Sequence, residues 1–108
     1  MMVSTREFNE YVAQTLSEKS WQSHVESLLR LNNFLVYHTH DSRRSPAGFP
    51  DLVAVRGERM IMVELKTQRG RVRPEQQVWL DALRQVTQVE TRLWRPGDRG
   101  EVLEIIQA

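Results

Sequence analysis

The chain has 108 residues, no cysteine, and a formal net charge of +1 from 15 Lys/Arg against 14 Asp/Glu. That length suits one domain with a single core, and the lack of cysteine excludes disulfides, zinc fingers and thiol catalysis. No apolar run approaches the roughly 18 residues of a membrane span and the first residues show no secretory pattern, so a cytoplasmic protein is expected. The charge is unevenly spread. Residues 1–40 hold three Lys/Arg and four acids, residues 41–73 eight and four, and residues 74–108 four and six. The positive excess of the middle third is the electrostatic outline of a phosphate-binding face.

In chain order, Ser4-Thr5-Arg6-Glu7 has the form of a capping box, and Phe8, Tyr11, Val12 and Leu16 follow at helical spacing. A short amphipathic helix over 5–16 is expected, as an accessory packing or dimer element. Ser17 can cap a second helix over about 18–32. Glu18, Gln22, Val25 and Leu29 share its core-facing stripe, with Trp21 and Leu28 flanking and Glu26 at the edge. Asn32-Asn33 ends it, and residues 34–39 read as the first strand. His38 and His40 are spaced to share a strand face, as ordinary strand histidines, phosphate donors or a metal pair. Asp41-Ser42-Arg43-Arg44 opens a polar loop that runs to Gly48-Phe49-Pro50-Asp51.

Leu52-Val53-Ala54-Val55 and Met60-Ile61-Met62-Val63 are two apolar runs joined by Arg56-Gly57-Glu58-Arg59, the pattern of a hairpin. With Gly57 and Glu58 as a two-residue loop, Asp51 falls opposite Glu64, the Cβ atoms roughly 5 Å apart. Lys66 points to the same face as Glu64, because strand side chains alternate. Opposed carboxylates repel, and a divalent cation between them would remove the repulsion, since hard cations take carboxylate oxygens. Asp51 and Glu64 are therefore the candidate metal ligands.

Thr67 to Arg73 is a glycine-hinged loop with three arginines, Arg69, Arg71 and Arg73. Pro74 suits the first position of a third helix, whose stripe is Gln76, Trp79, Leu80, Leu83 and Val86. Gln76 is its polar member, either a ligand or water positioner or a satisfier of first-turn backbone. Val89 to Trp94 alternates as a fourth strand, Arg95-Pro96-Gly97-Asp98 is a turn, and Asp98 with Glu101 forms a further capping box before a terminal helix.

The order helix, three strands, helix, strand, with Pro50-Asp51 and Glu64-Leu65-Lys66 in place, resembles the restriction-endonuclease-like PD-(D/E)XK core, an α/β fold. Around that pair stand Glu18 with Gln22, Tyr37-His38-Thr39, Ser42-Arg43-Arg44-Ser45, Gly48-Phe49-Pro50-Asp51, Gln76 with Trp79-Leu80, and Trp94-Arg95-Pro96-Gly97-Asp98. Together these resemble the VRR-NUC (virus-type replication-repair nuclease) family, in its small stand-alone phage and prophage form. The resemblance covers about residues 18–105, leaving 1–17 as an accessory helix before a domain of 18–108. Asn33 stands where such proteins often have glycine.

The resemblance implies a metal-dependent endonuclease working in a bacterial or phage-infected cell. Asp51, Glu64 and Glu18, with the Leu65 carbonyl, would hold Mg²⁺ or Mn²⁺; Glu26 is the alternative to Glu18. Lys66 would orient or deprotonate a water and stabilise charge on phosphorus, and Gln76 would position water or a ligand. The other reading of Lys66 is a salt bridge with Glu64 and nothing more. Arg43, Arg44, Arg69, Arg71 and Arg73, with Ser42 and His38, would grip the DNA backbone. Stand-alone members imply a homodimer acting on branched DNA such as Holliday junctions. Alternatives are a non-catalytic DNA-binding module on the same fold, or a nuclease for linear duplex or RNA.

Overall fold

The computed structural model describes residues 4–40 and 44–108. Helix α1 (Thr5–Thr15) starts at Ser4, whose Oγ accepts from the Glu7 N–H at 3.1 Å. Helix α2 (Glu18–Leu31) starts at Ser17, whose Oγ accepts from the Ser20 N–H at 3.1 Å. It stops because Asn33 turns left-handed, with φ 68°. Asparagine tolerates that conformation better than other side chains, which explains how it replaces glycine there.

The strands are β1 (Leu35–His38), β2 (Leu52–Arg56), β3 (Arg59–Leu65) and β4 (Glu90–Trp94), in sheet order β1-β2-β3-β4. The first two pairings are antiparallel, and β4 lies parallel to β3. A parallel neighbour needs a crossover; helix α3 (Pro74–Arg84) lies in it. The expected hairpin register holds: Arg56 pairs with Arg59 and Leu52 with Val63, around Gly57 at φ 59°. Glycine at the first loop position with positive φ matches a type II′ turn.

One face of the sheet carries the core. Trp21, Val25 and Leu29 of α2 and Val102 and Ile106 of helix α4 (Arg99–Gln107) pack on Leu52, Ala54, Ile61, Val63 and Leu65. The other face is covered only in part. Gln76 and Leu80 of α3 are buried, whereas Leu35 and Tyr37 are 78% and 65% exposed. The two hairpin strands therefore differ in burial. β3 is buried from Ile61 onward, and β2 keeps Val53 and Val55 half-exposed.

Three further expectations are corrected. Val86 lies beyond the end of α3 and is 47% exposed: the helix stops at Arg84 so that the chain can turn back into β4. Trp79 is half-buried, edge-on to Phe49 at 5.1 Å, and packs the 48–51 segment, not the core. Asp98 does not cap α4; its carboxylate accepts from the Arg95 N–H at 2.9 Å and closes a 3-10 turn, Pro96–Asp98.

Two arginines of the basic middle segment are structural. Arg56 stacks over the Phe34 ring at 4.4 Å and donates to the carbonyls of Asn32 and Ile106, at 2.9 and 3.1 Å. Arg59 forks onto Glu90 at 2.9 and 2.7 Å and reaches the Ile105 carbonyl. That hydrogen bonding raises the Arg59 pKa and lowers that of Glu90. Both lie at the turn end of the hairpin, roughly 16 Å along the strands from Asp51 and Glu64.

Gly48 seats the loop before Asp51 against the start of α3. Its φ is 103°, and a Cβ there would run into the Glu75 carbonyl oxygen. Gly48→Ala is expected to destabilise the fold by about 2–3 kcal/mol, from strain and displaced backbone together. Urea unfolding checks this; a change below about 0.5 kcal/mol would show that the contact relaxes freely.

Candidate active site

Three side chains form a row across the sheet. Thr39 donates its N–H to the Asp51 carbonyl at 2.8 Å, extending the β1–β2 ladder by one pair beyond His38 and Leu52. The β2–β3 register, carried one pair past Leu52 and Val63, places Asp51 opposite Glu64. Thr39, Asp51 and Glu64 thus share the face that α3 partly covers. One Asp51 oxygen accepts from the Leu65 N–H at 2.8 Å, which pins the carboxylate at the mouth of the strand pair.

Glu64 is 1% exposed. Its Oε1 accepts from the Gln76 amide at 3.1 Å, and its Oε2 is buried without a partner. Burial, and then the neighbouring Asp51, push its pKa up to about 8; Lys66 pulls the other way and Glu18 adds a small upward push. A buried oxygen with no donor in a site shared by two carboxylates calls for a proton or a cation. At the far end of the row, Thr39 also buries a hydroxyl without a partner. Among the described residues no three His, Asp or Glu side chains close around a common point. The convergent donor set is the Asp51–Glu64 pair, and Mg²⁺ characteristically takes one or two carboxylates plus water and phosphate oxygens.

Lys66 is 7% exposed and extends β3 by one residue, its N–H donating to the Trp94 carbonyl at 3.2 Å. Among the described residues it makes no ion pair, so the salt-bridge reading with Glu64 is not what the structure contains. Gln76 links two parts of the site: its carbonyl accepts from the Arg73 N–H at 2.9 Å while its amide holds Glu64.

Glu18 is exposed at the start of α2, not on the buried stripe, which consists of Trp21, Val25 and Leu29. Its charge is nevertheless felt at Glu64. Glu26 is committed elsewhere, to Arg30 at 3.2 Å and to the Gln22 amide at 3.3 Å. Of the two, only Glu18 adds to the charge felt at Glu64. His38 lies on the opposite face of β1 from Thr39, in a groove with Glu18, Gln22 and Glu26. The His38 and His40 rings lie 4.6 Å apart.

Arg69 and Arg71 are exposed on the loop after Lys66, as is Arg73, which pairs loosely with Glu75 at 3.4 Å. Arg44 is exposed as well; Ser42 and Arg43 lie outside the described residues. Sequence reasoning missed Thr39, because its place opposite Asp51 depends on the pairing of β1 across a long loop. It also missed Arg95 and Gln68, whose partners are backbone groups that no residue pattern announces.

The fold and site are those of a small α/β domain with a four-strand mixed sheet, nuclease-like in arrangement. The chain matches the VRR-NUC domain over residues 2–92 and belongs to that family of virus-type replication-repair nucleases. The match takes in α1 and ends within β4. Comparison with curated proteins gives no match.

The raised Glu64 pKa carries a sign. Its protonated form is favoured by folding, so its contribution is complete below the ordinary value of 4.5 and is lost as pH rises through about 8. Without divalent ions, stability should fall over that interval, at no more than about 1.4 kcal/mol per pH unit. Glu64→Gln should flatten the fall and be the more stable protein at pH 9. Urea titrations in EDTA from pH 5 to 9 test this, and a wild-type profile that is flat would show an ordinary carboxyl.

Proposed function

We propose that the protein is a metal-dependent endonuclease on the PD-(D/E)XK plan that hydrolyses phosphodiester bonds in DNA, with branched DNA as its preferred substrate. The observation that carries this reading is the buried Glu64 carboxylate, opposed to Asp51 and left with an unpartnered oxygen beside Lys66. Structural economy gives no reason to set a part-buried Asp51 against a buried Glu64; a site for Mg²⁺ or Mn²⁺ does. Asp51, Glu64 and the Leu65 carbonyl would hold the ion directly, and Glu18 would reach it through a bound water. When bound, the ion would polarise a phosphoryl oxygen and make a water more acidic.

The chain's own residues do the rest. Gln76 fixes the orientation of Glu64 through its amide. The Leu65 N–H holds one Asp51 oxygen, leaving the other free for a cation. Lys66 orients the attacking water and stabilises charge building on phosphorus as one P–O bond of the diester breaks. Arg43, Arg44, Arg69, Arg71 and Arg73, with Ser42 and His38, hold the sugar-phosphate backbone without reading sequence. No described helix is long and apolar enough to cross a membrane. In this reading the enzyme works on DNA in the cytoplasm of a bacterial or phage-infected cell.

The active unit in this reading is a homodimer, which would offer two sites to two strands of a junction. The uncovered sheet face supports it: Leu35, Tyr37 and Met60 are exposed there, with Val53 and Val55 half-exposed beside them. Helix α1 is a weaker candidate surface, because Val12, Ala13 and Leu16 already face a cleft against the 3-10 turn. Tyr37→Glu is expected to yield monomers by light scattering; a variant that stays dimeric would exclude this face.

Cleavage of labelled linear, flap and four-way junction DNA, and of RNA, tests the activity. Wild type with Mg²⁺ or Mn²⁺ should cut the junction fastest. Glu64→Ala and Lys66→Ala should each lose about 100-fold or more in rate while still binding. Binding by wild type without cleavage of any substrate would favour a non-catalytic binding module, and cleavage of RNA alone would move the substrate class.

A further inference from the structure

The segment between the catalytic strand and α3 is a loop tied down at both ends and through Thr67, Gln68 and Gly70 between them. It starts from Lys66, whose N–H is held by the Trp94 carbonyl at 3.2 Å. It ends at Arg73, whose N–H is held by Gln76, the residue that also holds Glu64. Between these ends a single guanidinium nitrogen of Arg95 donates to the carbonyls of Thr67 and Gly70, at 2.8 and 2.7 Å, with the Gln68 carbonyl at 3.4 Å. Gln68 returns the bond: its side-chain oxygen accepts from the Gly97 N–H at 2.8 Å. A Cβ on Gly97 would meet the end of the Gln68 side chain at 2.8 Å, so the two residues pack closely. The Gly70 N–H closes the loop on the Thr67 carbonyl at 3.2 Å.

The carbonyls of this loop are gathered inward on Arg95, and the Arg69 and Arg71 side chains are left exposed. A flexible loop carrying two arginines would lose conformational freedom on meeting a polyanion, and that loss weakens binding. A loop whose carbonyls are already held by one guanidinium nitrogen loses little. Arg95 makes no ion pair among the described residues, so its charge serves these carbonyls.

We infer that Arg95, with Gln68 and Gly97, is a latch that presets the Thr67–Arg73 loop so that Arg69 and Arg71 meet the nucleic-acid backbone at a fixed place relative to Glu64 and Lys66. Arg95 is a positioning residue: it touches neither phosphate nor the reacting atoms, and acts through the two loop arginines. This rests on the nuclease reading and adds a residue to it that lies past the family match.

The test is a double-mutant cycle on binding, in EDTA so that nothing is cut, with a fluorescent four-way junction between 50 and 200 mM salt. Arg95→Ala should weaken binding about tenfold and reduce the slope of log Kd against log salt by about one to two, as loop contacts with phosphate are lost. In an Arg69→Ala/Arg71→Ala background the same change should cost less than about twofold. Trypsin supplies a readout free of nucleic acid: folded Arg95→Ala should be cut after Arg69 and Arg71 faster than wild type. Should Arg95→Ala fail to fold, Gln68→Ala removes the return bond alone and should show the same pattern more weakly. Equal penalties in both backgrounds, with unchanged trypsin cutting, would overturn the latch while leaving the nuclease intact. No binding by wild type would overturn both.

Discussion

Two carboxylates held side by side under cover are the constraint on which the functional end of this structure depends. Glu64 stands on the central strand, flanked by β2 and β4, so its side chain cannot leave the sheet face without breaking the register. Asp51 is drawn to the same place by the Leu65 N–H. Burial and mutual repulsion raise the cost of ionising Glu64, and a proton or a cation is the available relief. The surrounding elements read as supports for that pair. Gly48 lets the Pro50-Asp51 approach pass under the start of α3, and Gln76 at the start of α3 restrains Glu64 from the other side.

The two ends of the hairpin have been given opposite tasks. At the turn, Arg56 and Arg59 stack on Phe34 and tie the end of α4 to the sheet. At the open end the chain keeps Lys66, Arg69 and Arg71 out of ion pairs among the described residues. A count of positive charge over residues 41–73 therefore overstates the surface available to phosphate. Cations that have found carbonyls and carboxylates serve the fold, and those left in solvent can serve a ligand.

The helices and strands were legible because their signals are local. Ser17 before an apolar stripe, Pro74 before another, and a glycine-bearing turn between two apolar runs each act within a few residues. The Asp51–Glu64 pairing was legible for the same reason, since a two-residue turn sets the register of the whole hairpin. Glu18 was harder: helical spacing assigned it to the buried stripe, but in the first turn of α2 it is Trp21 that is buried, while Glu18 stays exposed. Asp98 was misassigned as a helix cap because a nearer donor, the Arg95 N–H, closed a tighter turn.

By itself the sequence determined the element order, the hairpin register and the identity of the two acids and the lysine, because those follow from periodicity and turn length. Only the tertiary structure decided which oxygen is left unpartnered, which arginines are spent on the fold, and that Thr39 lies beside Asp51 and Arg95 beneath the loop. Those depend on contacts between segments up to tens of residues apart, whose geometry arises from packing and from the search of buried backbone groups for partners. No local pattern encodes that search.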